Sequence, residues 1–133
     1  MGAVVADTHA LIWYITEPGK LTREASAAFE QAVASGDPIY ISAISVVEFL
    51  YLVEKGRVPG IAFERLISSL NLPESAIYVT PLDLNIAQSI RQIPRDVVPD
   101  MPDRIIAATA LYLNLPLIPR DKKIHDSGIE TIW

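Results

Sequence analysis

The chain contains no cysteine in 133 residues and only two histidines. The first absence excludes disulfide support, zinc–thiolate sites and thiol nucleophiles, and it suits a reducing compartment, for which the cytoplasm is the default expectation. The second leaves His9 and His125, neither beside an evident nucleophile of a catalytic triad. Long apolar runs are missing too. Each apolar stretch meets a charge or a proline well before the roughly 18 residues that a membrane span requires, and no basic segment leads an apolar one at the start. A soluble, unexported protein with no membrane partner is expected. Basic residues are scarce: 11 Lys and Arg stand against 16 Asp and Glu, giving a net charge of -5 and a pI near 4.9. That balance argues against broad electrostatic attraction to nucleic acid, so a polyanionic substrate would need metal ions to offset the acids locally.

Half of the residues are hydrophobic and 20% are charged, an ordinary ratio for a packed core. The length fits one compact domain over residues 1–133 without a linker, and there is no internal repeat or low-complexity run. Val4 to Asp7 reads as a strand, followed by helical spacing from Thr8 to Ile15 and a break at Glu17-Pro18-Gly19. Thr22 is placed to cap a helix through Ser35, and Ile39 to Ile41 reads as a second strand. Ser42 or Ser45 begins a helix to about Lys55, with Gly56 where a C-terminal cap belongs. Ile61 to Leu70 is amphipathic, Ile77 to Thr80 is a third strand, and Asp83 to Gln92 a further helix.

Arg95 to Met101 reads as a loop, Pro102 suits the first turn of the helix DRIIAATALYLN, and Leu117-Ile118 is a fourth strand. Ile129 to Trp133 is expected as an edge strand. Short strands alternating with helices of about ten residues imply an α/β fold with a mostly parallel sheet covered on both faces. In such sheets ligands collect at the carboxyl ends of the strands.

Four acids stand at apolar-to-polar junctions: Asp7, Glu48, Asp103 and Asp121. Carboxylates in apolar segments need compensation, and with no cysteine the natural partner is a hard divalent cation bound through oxygens. Each acid also has a purely structural reading. Asp7 is placed to cap the helix at Thr8, Glu48 could reach back to Ser45 in a capping box, and Asp121 could pair with Lys122 or Lys123 in a turn. Asp100 and Asp103 flank Met101-Pro102, so one of them caps the following helix; Asp103 is the better ligand candidate and Asp100 an auxiliary acid.

The ordered set DTHALIWY, ISVVEFLYL, DMPDRIIAATAL and LIPRDKKI resembles the PIN domain, and within it the VapC-type toxins of toxin–antitoxin pairs, over essentially the whole length. The resemblance implies a three-layer α/β/α sandwich that binds magnesium or manganese and cleaves RNA. It assigns Asp7, Glu48, Asp103 and Asp121 to the catalytic acidic quartet and Asp100 to an additional metal-binding acid of one subgroup. It further implies a cognate antitoxin. Trp13, Tyr14, Phe49, Tyr51 and Leu52 are more apolar surface than one helix face needs; most of it is expected as core, and the rest as surface for a homodimer or for a partner's amphipathic helix. Two positions depart from the pattern: Val97-Val98-Pro99 precedes Asp100 where a histidine and an arginine are usual, and Pro119 stands where a threonine is frequent. Arg104, Arg120, Lys122 and Lys123 adjoin the acids and are candidates for phosphate contacts. Two other classes stay open at this point. One is a catalytically silent module of the same fold, and the other a receiver-like phosphoacceptor domain, which would need an acid directly after its third strand.

Overall fold

The computed structural model describes residues 2–120 and 128–133. Among the described residues four strands form one sheet: β1 (Val4–Ala6), β2 (Ile39–Ser42), β3 (Ile77–Thr80) and β4 (Leu117–Ile118), in the order β3-β2-β1-β4. All three strand pairings are parallel, with Val5 opposite both Tyr40 and Leu117. Among the described residues six α-helices fill the connections: α1 (Thr8–Thr16), α2 (Arg23–Ser35), α3 (Ala43–Glu54), α4 (Gly60–Leu70), α5 (Leu84–Ser89) and α6 (Met101–Leu113).

Side-chain alternation along the strands builds the layers. Val4, Ala6, Ile39, Ile41 and Ile118 join one buried cluster with Leu11 of α1, Phe29 of α2, Phe49 of α3 and Leu66 of α4. Val5 and Leu117 point the other way, into a second cluster with Ile86 of α5 and Ile106, Ala107 and Ala110 of α6. A three-layer α/β/α sandwich results, as expected. A strand buried on both faces has no polar side, which is why VVA and LI read as unbroken apolar runs.

The chain progresses outward from β1 to β2 to β3, then returns to place β4 on the other side of β1. That reversal lies between β1 and β4, and the crevice outside their carboxyl ends is where an open α/β sheet receives ligands. Asp7 follows β1 directly, and Arg120 lies two residues beyond β4.

Local differences from the sequence reading have simple causes. Ser42, not Ser45, caps α3: its Oγ accepts the Ile44 amide at 3.2 Å, and Ser45 sits inside the first turn. The helix expected over Asp83 to Gln92 is α-helical only to Ser89 and tightens to a 3-10 turn over Ile90–Gln92. Of the edge strand expected at Ile129 to Trp133, the residues make one parallel bridge, Leu117 to Thr131, because β4 offers only two residues to pair with.

Candidate active site

Asp7 is nearly fully buried and serves two elements. Its Oδ1 accepts the Ala10 amide at 2.8 Å, capping α1, and its Oδ2 accepts the Arg120 amide, tying the end of β1 to the segment after β4. Capping and a tie to the segment after β4 therefore coexist in one carboxylate. Burial pushes its pKa up to about 7, against the two amide donors that favour the anion, and the nearby charges of Asp103 and Glu48 push in the same direction as burial. An acid so placed gains if a positive charge arrives.

Glu48 does not form the capping box. Its Oε1 instead accepts the Thr8 hydroxyl at 2.5 Å, and the same hydroxyl oxygen lies 2.9 Å from the buried Ser45 Oγ. Thr8 has one proton, which the carboxylate takes, so the Ser45 hydroxyl is left to donate to Thr8. This Ser45–Thr8–Glu48 chain joins α1 to α3 and aims the carboxylate. Its pKa is raised, first by burial and further by Asp100, with the Thr8 hydrogen bond acting the other way. Neither Thr8 nor Ser45 was marked as a site residue by the sequence. The available signal was a hydroxyl beside Asp7 and another one helical turn before Glu48, which gains meaning only when α1 and α3 pack together.

Of the ambiguous pair, Asp100 takes the cap. Its Oδ2 accepts the Asp103 amide at 3.2 Å, and Asp100 itself is exposed. Asp103 lies half-buried in the first turn of α6 and acts electrostatically on Asp7, while Asp100 acts on Glu48. The fold thus gathers Asp7, Glu48, Asp100 and Asp103 from β1, α3 and α6 to one electronegative region. Asp121, with Lys122, Lys123 and His125, lies outside the described residues. Among the described residues, no three acidic or imidazole side chains converge closely enough to share one ion directly. The donor set nonetheless suits a hard cation that keeps several of its waters: all oxygens, ranging from the exposed Asp100 to the buried Asp7, and mutually repelling.

Arg104 is not free for phosphate. Its Nη2 donates to the carbonyls of Ile90 at 3.1 Å and Ile93 at 2.8 Å, so the guanidinium fastens α6 to the 3-10 turn. Arg120 is exposed beyond its amide contact with Asp7. His9 is half-buried with its pKa lowered by burial and then by Arg120, which favours the neutral ring, and it meets Trp13 edge-to-face at 6.3 Å. The proposed apolar surface divides. Phe49 is fully buried and Tyr14 stacks on Phe29 at 4.3 Å, both core contacts, whereas Tyr51 is 58% exposed and Trp13 and Leu52 are half-buried beside open hollows. Thr80 ends β3 with no acid behind it until Asp83, which caps α5 through Ile86, so the receiver-like arrangement is not built.

Comparison with known proteins agrees with this fold. Ribonuclease VapC22 of Mycobacterium tuberculosis is 29% identical over 138 positions, covering 100% of both chains. The structure of VapBC2 from Rickettsia felis bound to a promoter DNA fragment superposes with a TM-score of 0.73 at 15% identity, covering 97% of this chain and 96% of that one. A toxin–antitoxin complex from Klebsiella pneumoniae gives 0.65 at 23% identity, covering 98% and 96%. At such identities these two structures speak to the fold. The family description that matches the chain, over residues 4–129, is PIN domain. Because that match takes in all four strands and every acid from Asp7 to Asp121, the chain belongs to the PIN domain family.

Proposed function

We propose that this protein is a metal-dependent ribonuclease, the toxin of a toxin–antitoxin pair, with Asp7, Glu48, Asp103 and Asp121 as its catalytic acids and Asp100 as an auxiliary one. The observation that carries the reading is Asp7: a nearly buried carboxylate at the strand-order reversal, with two like charges acting on it. Full-length similarity to a protein described as a ribonuclease supports the same conclusion.

The residues that would hold magnesium or manganese are Asp7, Glu48, Asp100, Asp103 and Asp121. A bound divalent cation would supply charge to offset the phosphodiester and would acidify a water molecule. The chain's own part is positional. The Ala10 and Arg120 amides hold Asp7 in one orientation, and Thr8 holds Glu48, so neither carboxylate has to reorganise when the ion and the RNA arrive. In the overall hydrolysis a water oxygen bonds to phosphorus, the bond to the ribose oxygen breaks, and that oxygen takes up a proton. His9, held toward its neutral form, has no hydrogen bond to an acid or hydroxyl among the described residues that would fit it as a base.

An antitoxin is the proposed protein partner, in keeping with the complexes among the structural neighbours, and a homodimer the proposed assembly. Exposed Val47, Leu50 and Tyr51 on α3 and Leu84 and Tyr112 on α5 and α6 offer apolar surface for these contacts. We place the protein in the cytoplasm as one domain over residues 1–133; among the described residues no helix is long and apolar enough to cross a membrane.

The deciding experiment is cleavage of RNA with magnesium, with manganese and with chelator, comparing the wild type with Asp7→Asn. Cation-dependent cleavage lost in the variant is expected. Full activity in folded Asp7→Asn protein sinks the assignment. A catalytically silent module has one observation in its favour, the lack of direct three-ligand convergence among the described residues, and it predicts neither cleavage nor cation-dependent stabilisation.

A further inference from the structure

Two adjoining hollows share His9 and Leu52 as a wall. One, of about 320 Å³, reaches Glu48 and the start of α6 at Met101 and Pro102. The other, of about 380 Å³, differs in chemistry: Lys20, Arg57 and Arg120 line it, with Trp13 and Pro59 among its apolar members and Glu17 as the one acid among its described lining residues. In a chain of net charge -5 these three cations outnumber the acid among the described lining residues.

Each cation is delivered by a defined turn. Lys20 closes the 3-10 turn after α1 and lies 3.4 Å from Glu17. Gly56, at φ +74°, lets α3 end with the Gly56 amide on Val53 and the Arg57 amide on Leu52, which projects Arg57 just beyond the helix; Arg57 has no ion-pair partner among the described residues. Arg120 leaves the backbone at the amide that binds Asp7, so this hollow begins one residue from the acidic region.

We propose that the basic hollow seats one nucleotide of single-stranded RNA, adjacent to the phosphodiester at the acids, with Arg57, Lys20 and Arg120 on its phosphates and Trp13 against its base. The inference rests on the ribonuclease reading above. The volume lies within the range of about 300–1,000 Å³ common for ligand sites. Cations that follow a backbone beside an aromatic ring are the means by which single strands are held without sequence readout, since every base offers a flat face. An acidic protein segment is the competing occupant. Charge favours RNA, whose phosphates recur at each nucleotide and match cations spread around the rim.

The test uses the full chain in chelator with a fluorescein-labelled 2′-O-methyl RNA of about ten nucleotides, long enough for one such site. Fluorescence anisotropy is read across a salt series. Arg57→Ala and Lys20→Ala are each expected to weaken binding about 3- to 10-fold and to reduce the slope of log affinity against log salt by about 0.7, the value for one phosphate contact on a single strand. Trp13→Leu is expected to weaken it about tenfold with little change in slope, and Trp13→Phe to restore most of the loss. Arg91→Ala, on the opposite helical layer, leaves affinity and slope unchanged apart from its general charge. Arg57 and Lys20 are exposed, so their variants keep the fold even if Trp13→Leu does not. Wild-type affinity in both exposed variants overturns the proposal, as does weakened binding of a glutamate-rich peptide with RNA binding intact. RNA cleavage by the wild type is scored separately. Cleavage with pocket-independent binding sinks the nucleotide seat alone, whereas pocket-dependent binding without cleavage sinks the ribonuclease reading and leaves the seat standing.

Discussion

Asp7 shows how one side chain couples stability to chemistry. Its pKa is raised from 3.8 to about 7, so the folded state holds this proton more tightly than the unfolded chain. The stability it contributes is complete below about pH 4 and is lost as pH rises toward 7. In chelator, Asp7→Asn is therefore expected to be more stable than wild type at pH 8, by about 1–2 kcal/mol once the imperfect amide pairing of asparagine is discounted. At pH 4 the advantage should vanish or reverse, as chemical denaturation at the two pH values will show. Thr8→Val should cost about 1–3 kcal/mol by stranding the Glu48 acceptor, and Thr8→Ser should recover most of it. Equal stability of Thr8→Val and wild type would remove Thr8 from the site.

The helices carry their ends in the sequence, and those ends set the site. Asp7, Thr22, Ser42, Asp83 and Asp100 each accept an amide from the first turn of the following helix; the caps at Asp7 and Thr22 were legible from residue type, whereas Asp83 was read as the first helical residue and the choices at Ser42 and Asp100 stayed open. Where two candidates stood a few residues apart, local chemistry was degenerate, and packing decided. Asp100→Ala is expected to destabilise α6 by about 1 kcal/mol and Asp100→Ser to keep most of its stability, measured by thermal unfolding. Gly56→Ala should cost about 1 kcal/mol because φ +74° is strained for any residue with a Cβ. Glu48 illustrates the limit of local reading. Ser45 three residues earlier satisfies the capping-box pattern, yet the carboxylate finds Thr8 from another helix.

At the scale of the whole molecule the acids form a charge problem, which the proposed cation would offset. Magnesium or manganese at millimolar excess is expected to raise the unfolding temperature of the wild type, by mass action on the folded state, and chelator to reverse it. Asp7→Asn should show little or no such shift. A shift undiminished in that variant would locate cation binding elsewhere.

The sequence by itself determined the alternation of short strands with helices, the parallel α/β/α layering and the junction position of each acid. These depend on local periodicity and caps, which neighbouring residues encode. Tertiary structure alone decided that Arg104 fastens α6 to the 3-10 turn, that Thr8 and Ser45 aim Glu48, and that Arg57 and Arg120 meet Trp13 around one hollow. Those contacts join residues far apart along the chain, and no periodicity within a segment reports what another segment brings to it. The absence of cysteine pointed to oxygen ligands, but the charge environment of Asp7 arises only where β1, α3 and α6 converge.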